Sequence, residues 1–239
     1  MRKIFLLLLL TPLFGISQTQ TVISASRYFP KVDKVQEFEK ALAAHIQKYH
    51  SADWKWRVYE IQTGPDAGGY HVVEGPKTWD ENDKRGNLGA DHTNDWNKNV
   101  AIYLTDKYSS AYSEYREDLS TTQLGAFTDK ITITHVFPKP GMGNVVEASL
   151  KKVKKGWAAG NQTVAVYQSV ASGPGQYSLV YRLKDGLKEL ENNYRKPFKE
   201  RYEAANGEDS YEQFLNSIRK STDNSWSEML FYRADLSSK

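Results

Sequence analysis

Tyr115-Arg-Glu-Asp-Leu-Ser120 and Tyr232-Arg-Ala-Asp-Leu-Ser237 are nearly the same six residues, written twice in a sequence of 239. Each copy follows a similar triplet, Tyr112-Ser-Glu114 in the first case and Trp226-Ser-Glu228 in the second. A match this close indicates an internal duplication. It has to be recognised before any helix or strand is assigned, because it decides how many structural units the chain contains.

Further matches lie on the N-terminal side of these motifs, in the same order in both halves. At an offset of 108 residues, Tyr28-Phe-Pro-Lys31 matches Val136-Phe-Pro-Lys139, and Val58-Tyr59 matches Val166-Tyr167. Ordered matches at similar offsets predict two tandem units, residues 22–120 and 130–237, joined by a linker at 121–129.

Each unit shows the same succession of hydrophobic patterns. A strand that stops at a proline is followed by a helix with apolar residues at the helical period, such as Phe38, Leu42 and Ile46. Two strands joined by a Gly-Pro turn come next. Helical stretches, roughly Trp79 to Lys107 and Asp185 to Lys220, precede a last strand that we expect to reach Leu119 or Leu236.

This order, β-α-β-β-α-β, is the ferredoxin-like pattern and predicts an α+β fold. A single four-stranded sheet of this type leaves one face without helices, and a second copy in the same chain can cover it. The sequence therefore predicts two tandem ferredoxin-like repeats that form one pseudo-dimeric α/β barrel, an intrachain pseudo-dimer.

On this element order and duplication, the chain resembles the dimeric α/β-barrel superfamily. Its members include antibiotic-biosynthesis-type and haem-degrading monooxygenases and NIPSNAP-like proteins. The resemblance implies that two sheets close into a shared barrel. It also implies, as one possible activity, cofactor-independent oxygenation or haem handling, although strand one offers Ser24 and Ser26 where haem-degrading members use an asparagine.

The N-terminus and the composition bear on location. Arg2 and Lys3, a short apolar run and small residues predict a secretory signal peptide over residues 1–17. The protein is therefore expected to be exported to the periplasm or secreted, without membrane insertion after cleavage. Cleavage would leave 30 basic against 29 acidic residues, a balance that argues against nucleic acid as a partner. The sequence has no cysteine, so stability has to come from apolar burial.

Strand one supplies the first candidate site residues. Alignment of the two units makes Arg27 equivalent to His135, and both fall on the strand face that carries Ile23 and Ile131. They either face the barrel lumen and meet an anionic or metal-bearing ligand, or they are hydrogen-bonded structural groups near a strand end.

The third strand supplies His71, where the second unit has Ser178. An imidazole titrates near neutral pH and could act as a base or a ligand, but a structural role is the simpler interpretation. Tyr59 and Tyr167 occupy equivalent positions and are further candidates for contact with a ligand.

The polar segment from Asp80 to Asn99 differs most between the units. It is either a lid over the barrel, with His92 and Trp96 contacting a ligand, or a solvated loop. A calcium site at its start is excluded because Lys84 occupies an oxygen-ligand position. No zinc-protease motif is present, and we expect neither a metal nor a cofactor.

Three functions stay open. The leading hypothesis is an exported, non-catalytic protein that binds a small, partly apolar ligand in the barrel. The alternatives are a monooxygenase or haem-handling enzyme of the superfamily, and a structural or interaction module of the envelope with a filled barrel.

Overall fold

The computed structural model describes residues 20–239, so the predicted signal peptide lies outside the described residues. The strands are β1 (Thr21–Pro30), β2 (Trp56–Ile61), β3 (Tyr70–Thr78), β4 (Leu104–Tyr115), β5 (Lys130–Pro138), β6 (Val164–Val170), β7 (Tyr177–Arg182) and β8 (Thr222–Tyr232). The α-helices are α1 (Val35–Tyr49), α2 (Trp79–Arg85), α3 (Ala90–Asp95), α4 (Gly143–Ala159), α5 (Phe198–Asn206) and α6 (Ser210–Ser221).

The eight strands form one closed, antiparallel barrel in the order β1-β3-β2-β8-β5-β7-β6-β4. The four strands of each half lie side by side in the same order, β4-β1-β3-β2 in the first half and β8-β5-β7-β6 in the second. The halves join where β2 pairs with β8 and where β4 pairs with β6. Closure leaves no unpaired strand edge, which removes a common site of aggregation.

Alternation along the strands separates an interior from an exterior layer. Tyr59, Ile61 and Leu230 pack with Ile131 and Ile133 inside the barrel. The intervening side chains point outwards, and the helices cover those of β1–β3 and β5–β7, whereas much of β4 is exposed. Most of the barrel is therefore a sheet with two apolar faces.

Helix α1 covers the outer face of the first half through Phe38, Leu42 and Ile46, which are fully buried. Burial of side chains of this size contributes about 1.5–3 kcal/mol each. Helix α4 covers the second half in the same way, with Leu150 and Trp157. No helix among residues 20–239 is long and apolar enough to cross a membrane.

The repeated motif, Tyr115–Ser120 and Tyr232–Ser237, connects the halves. Leu119, in the first copy, lies in the apolar core of the second half, and Leu236 lies in the core of the first half. The hydroxyl of Ser120 accepts a hydrogen bond from the backbone of Val166, and Ser237 does the same for Val58. Each half is therefore completed by the end of the other.

The helical stretches and the last strands differ from the predictions. Helices α2 and α3 are separated by Gly86 and Gly89, both at positive φ, and a π-helical turn (Trp96–Val100) follows α3. Strand β4 begins at Leu104, inside the predicted helix. Both closing strands stop earlier than expected, at Tyr115 and Tyr232, because the repeated motifs form turns there.

Candidate functional site

A charged network lies inside one end of the barrel. Arg27 Nη1 is 3.0 Å from Glu228 Oε2 and 2.5 Å from Asp66 Oδ2. Glu228 Oε1 is 2.8 Å from His135 Nε2. Gln176 Nε2 lies 2.6 Å from the other ring nitrogen of His135. The polar groups that the sequence places on strand one are therefore joined by a buried carboxylate.

This network is balanced in charge. Burial disfavours the ionised form of Glu228, but hydrogen bonds to His135 and Arg27 hold the pKa of its carboxyl below the usual value. The guanidinium of Arg27 is shared between Glu228 and Asp66, and Lys107 also contacts Asp66. Arg27 and His135 thus have partners within the protein and are not left to meet a ligand.

A cavity of about 80 Å³ lies in the lumen beside this network. Its wall is apolar along several strands, and the segment predicted as a linker lies against it through residues 124–127. The lining residues are Ile23, Arg57, Tyr59, His71, Val73, Pro76, Leu124, Gly125, Ala126, Phe127, Ile131, Ile133, Tyr167, Val180 and Arg182. This volume has room for a few water molecules or a small organic molecule, and lies below the range typical of sites for drug-sized ligands.

Two guanidinium groups border the cavity. Arg182 is buried; its Nε has no hydrogen-bond partner among residues 20–239, and its guanidinium lies close to the hydroxyl of Tyr167. Arg57 donates one hydrogen bond, from Nη1 to the carbonyl oxygen of Gly75 at 3.2 Å. Within residues 20–239 neither arginine forms an ion pair, in contrast to Arg27. The lumen therefore carries positive charge that the protein itself does not neutralise.

Three ring side chains complete the polar part of the cavity. Burial raises the pKa of Tyr59 to about 12 and also raises the pKa of Tyr167, against the opposing charge of Arg182, so both hydroxyls stay protonated. Burial, together with the charge of Arg27, lowers the pKa of His71 to about 3, and its Nδ1 has no partner. These groups offer hydrogen bonds and no negative charge.

A second group of polar side chains lies on the outer side of the barrel. His45 and His50, at the end of α1, are buried next to His92 of α3, and the three could hold a metal ion. Trp96 packs against His45 and Tyr28. His92 and Trp96 therefore lie away from the lumen. The segment from Asp80 to Asn99 does not form a lid: α2 packs against β3, and α3 with the π-helical turn packs against α1.

The structure thus divides the residues that the sequence singles out. Arg27, His71 and His135 line or approach the lumen, and Tyr59 and Tyr167 border its cavity. His92 and Trp96 belong to the outer layer. Sequence reasoning missed three lumen residues, Arg57, Arg182 and Glu228. For Glu228 a signal was present, because it belongs to the repeated triplet, whereas the arginines are ordinary strand residues in the sequence.

No protein-family model matches the chain, and no curated protein matches its sequence. Solved structures do share the fold. A proposed monooxygenase from Lactobacillus acidophilus NCFM has a TM-score of 0.54 at 11% identity, over 92% of this chain and 96% of that one. An anthrone oxidase-like protein has a TM-score of 0.56 at 12% identity, over 91% and 92%.

A proposed chlorite dismutase has a TM-score of 0.54 at 8% identity, over 91% of this chain and 96% of that one. Identities this low show a shared fold and do not carry an activity from one protein to another. The chain therefore has a dimeric α/β-barrel fold, with all eight strands of the barrel supplied by a single chain.

Proposed function

We propose that this protein binds a small, partly apolar carboxylate in the lumen of its barrel. The observation that carries the proposal is the buried guanidinium of Arg182, which borders the cavity without a carboxylate partner among residues 20–239. A buried charge costs several kcal/mol of desolvation unless an opposite charge pairs with it. A bound anion would supply that charge.

The rest of the cavity fits such a ligand. Arg57 brings a second guanidinium, and guanidinium groups match carboxylates in charge and geometry. Ile131, Ile133 and Val180 offer apolar surface for a short hydrocarbon chain. The small volume limits the ligand to a few heavy atoms, which favours a short-chain acid over a nucleotide or a sugar phosphate.

The enzyme hypothesis has weaker support. A general base needs a pKa near the operating pH. His71 has a pKa of about 3, and the pKa of Tyr59 is raised to about 12. Neither pKa value suits proton exchange with a substrate near neutral pH.

Haem, which some proteins of this fold handle, does not fit the residues present. The lumen is too small for it. A groove of about 340 Å³ between α4, α5 and the sheet is larger, but its lining contains no histidine, cysteine or methionine.

Thermal unfolding in the presence of short carboxylates tests the proposal. We expect butyrate to raise the Tm, and butan-1-ol and butylamine, which lack the negative charge, to leave it unchanged. The Arg182→Met variant should lose the response. The matched control, Arg219→Met, removes an exposed arginine far from the cavity and should keep it. An equal response to butyrate in both variants would contradict the proposal, and so would a response to inorganic phosphate alone.

We further propose that the two halves arose by duplication of one ferredoxin-like unit. The shared strand order within each half and the paired motifs support this. We also keep export as a proposal. Mass spectrometry of the protein from its native host should find a mature N-terminus after Ser17, and a retained Met1 would contradict it.

A further inference from the structure

Three of the five histidines of the chain converge outside the barrel. His45 and His50 come from the last turn and the end of α1, and His92 comes from α3. One ring nitrogen from each lies within 4.8 Å of the others. His45 and His50 are almost completely buried, while His92 is partly exposed at the surface. Three imidazoles at this separation have the composition of a metal site.

Among residues 20–239, these ring nitrogens face one another and have no other hydrogen-bond partners. His50 Nε2 is 3.3 Å from His92 Nε2. Two nitrogen ligands of a tetrahedral zinc ion, each about 2.0–2.1 Å from the metal, lie about 3.3 Å apart. His45 Nε2 is buried and has no hydrogen-bond partner. A buried polar atom without a partner is costly, and a metal ion would give all three nitrogens one.

Carboxylate groups lie near the second ring nitrogen of two of these histidines. Asp95 Oδ2 is 2.7 Å from His45 Nδ1, which fixes the tautomer that leaves Nε2 free to bind a metal. Glu74 Oε2 is 3.5 Å from His50 Nδ1. Histidines that bind metals usually direct the second ring nitrogen to a carboxylate or a carbonyl group, which orients the ring. His45 follows that pattern, whereas His50 Nδ1 has Glu74 nearby but forms no hydrogen bond among residues 20–239.

The second half of the chain shows that packing alone does not require these histidines. At the offset of 108 residues, His45 corresponds to Val153 and His50 to Ala158. Val153 fills the same layer on α4 as an ordinary core residue. Burial also lowers the pKa of His45 and of His50, which keeps both imidazoles in the neutral form that binds metals.

We propose that His45, His50 and His92 bind one divalent transition-metal ion of the zinc class. Imidazole nitrogen suits zinc, copper and nickel, and three protein ligands leave a position for water. The ion would tie α3 to the end of α1, where the hydroxyl of Tyr49 already donates a hydrogen bond to the carbonyl oxygen of Asp91 at 3.2 Å. This site is independent of the carboxylate proposed for the lumen.

Titration calorimetry with zinc sulfate tests the site. The protein is produced without a polyhistidine tag, treated with EDTA and exchanged into buffer. We expect one zinc ion per chain and a higher Tm in its presence. Cobalt should report the ligands independently, because tetrahedral coordination gives visible absorption bands that hexaaqua cobalt does not show at comparable strength.

Comparison of the two halves of the chain suggests the variants for this test. His45→Val introduces the residue found at the matching position, and His92→Ala removes the partly exposed ligand with little effect on the core. Each should weaken zinc binding at least about 100-fold, and Asp95→Asn should weaken it roughly 10- to 100-fold. His71→Ser, a histidine change inside the barrel with Ser178 as its counterpart, should leave the zinc affinity unchanged.

Two outcomes would overturn the proposal. The first is that the unaltered chain binds no zinc. The second is that zinc binds with equal affinity to the unaltered chain and to His92→Ala, which would indicate adventitious surface binding. If His45→Val does not fold, the His92→Ala result decides the question by itself.

Discussion

Arg116 Nη1, near the end of the first half, lies 3.0 Å from Glu147 Oε2 on helix α4 of the second half. Arg233 makes the mirrored contact at the end of the second half, with Nη1 2.5 Å from Glu39 Oε1 on α1. Each arginine also forms two hydrogen bonds with the aspartate two residues further along its own motif. The repeated motifs therefore bind the two halves to each other reciprocally.

Because each motif contacts the opposite half, we expect the stability of each half to depend on the motif carried by the other. Leu119 is fully buried in the second half. Leu119→Ala should lower the free energy of unfolding by about 2–5 kcal/mol, because it leaves a cavity in a packed core. Urea unfolding followed by fluorescence measures the change. The control, Leu190→Ala at an exposed position, should stay within about 0.5 kcal/mol of the unaltered protein.

A further outcome is specific to the reciprocal arrangement. In the Leu119→Ala variant both halves should unfold in a single transition, because the pairing of β4 with β6 and of β2 with β8 joins the two halves. Hydrogen exchange should then show equal loss of protection in α1 and α4. Loss of protection confined to α1 would contradict the packing of each motif against the opposite half.

Arg182 should lower the stability of the ligand-free protein. Its guanidinium is buried without an ion-pair partner, so Arg182→Met, which keeps an unbranched chain and removes the charge, should raise the free energy of unfolding of the ligand-free protein by about 1 kcal/mol. The same urea measurement checks this. A loss of stability of similar size would mean that the guanidinium is satisfied in the folded protein.

Glu228 should be far more important for stability than its sequence counterpart Glu114. Its side chain is fully enclosed between Arg27 and His135. Glu228→Gln leaves the buried guanidinium with less compensation and should cost about 3 kcal/mol. Glu114→Gln changes a carboxylate whose one side-chain hydrogen bond within residues 20–239 is accepted at the surface, from Trp79 Nε1 at 3.1 Å, and should cost little. Equal effects of the two substitutions would refute the role assigned to the network.

The stability of the protein should fall as the pH is lowered from about 6.5 towards 3, in part because of His71. Burial and the charge of Arg27 lower the pKa of His71 in the folded chain to about 3, whereas an unfolded histidine titrates near 6.5. Between these values the unfolded state binds more protons, so lower pH favours unfolding.

Comparison of His71→Ser with the unaltered protein isolates this effect. The variant should lose less stability between pH 7 and pH 4, as measured by urea unfolding in the presence of EDTA at each pH. Parallel pH profiles of the two proteins would show that His71 takes up its proton in the folded state.

Much of the fold follows from local patterns. Helices α1 and α4, the hairpins and the closing strands show as hydrophobic periods and turn residues, and the duplicated motif indicates a sheet with two matching halves. The broken helices could not be predicted in detail, because their boundaries depend on glycines such as Gly86 and Gly89, whose conformation the packing selects.

In the candidate sites, too, some features follow from local patterns and others depend on tertiary contacts. Alternation along β1 and β5 correctly places Arg27 and His135 on the interior face, because side-chain direction is a local property of a strand. Their neutralisation by Glu228 depends on the pairing of β5 with β8, which brings together residues 93 positions apart.

The sequence by itself determined the α+β class, the repeated motifs and the direction of the strand side chains, since all of these arise from periodicity and short-range order. Only the tertiary structure decided that each YRxDLS motif completes the opposite half. It also decided that Arg182 is buried without a carboxylate, and that His45, His50 and His92 meet. These are relations between segments separated in the chain: closure of the barrel creates the first two, and the packing of α3 beside α1 creates the third.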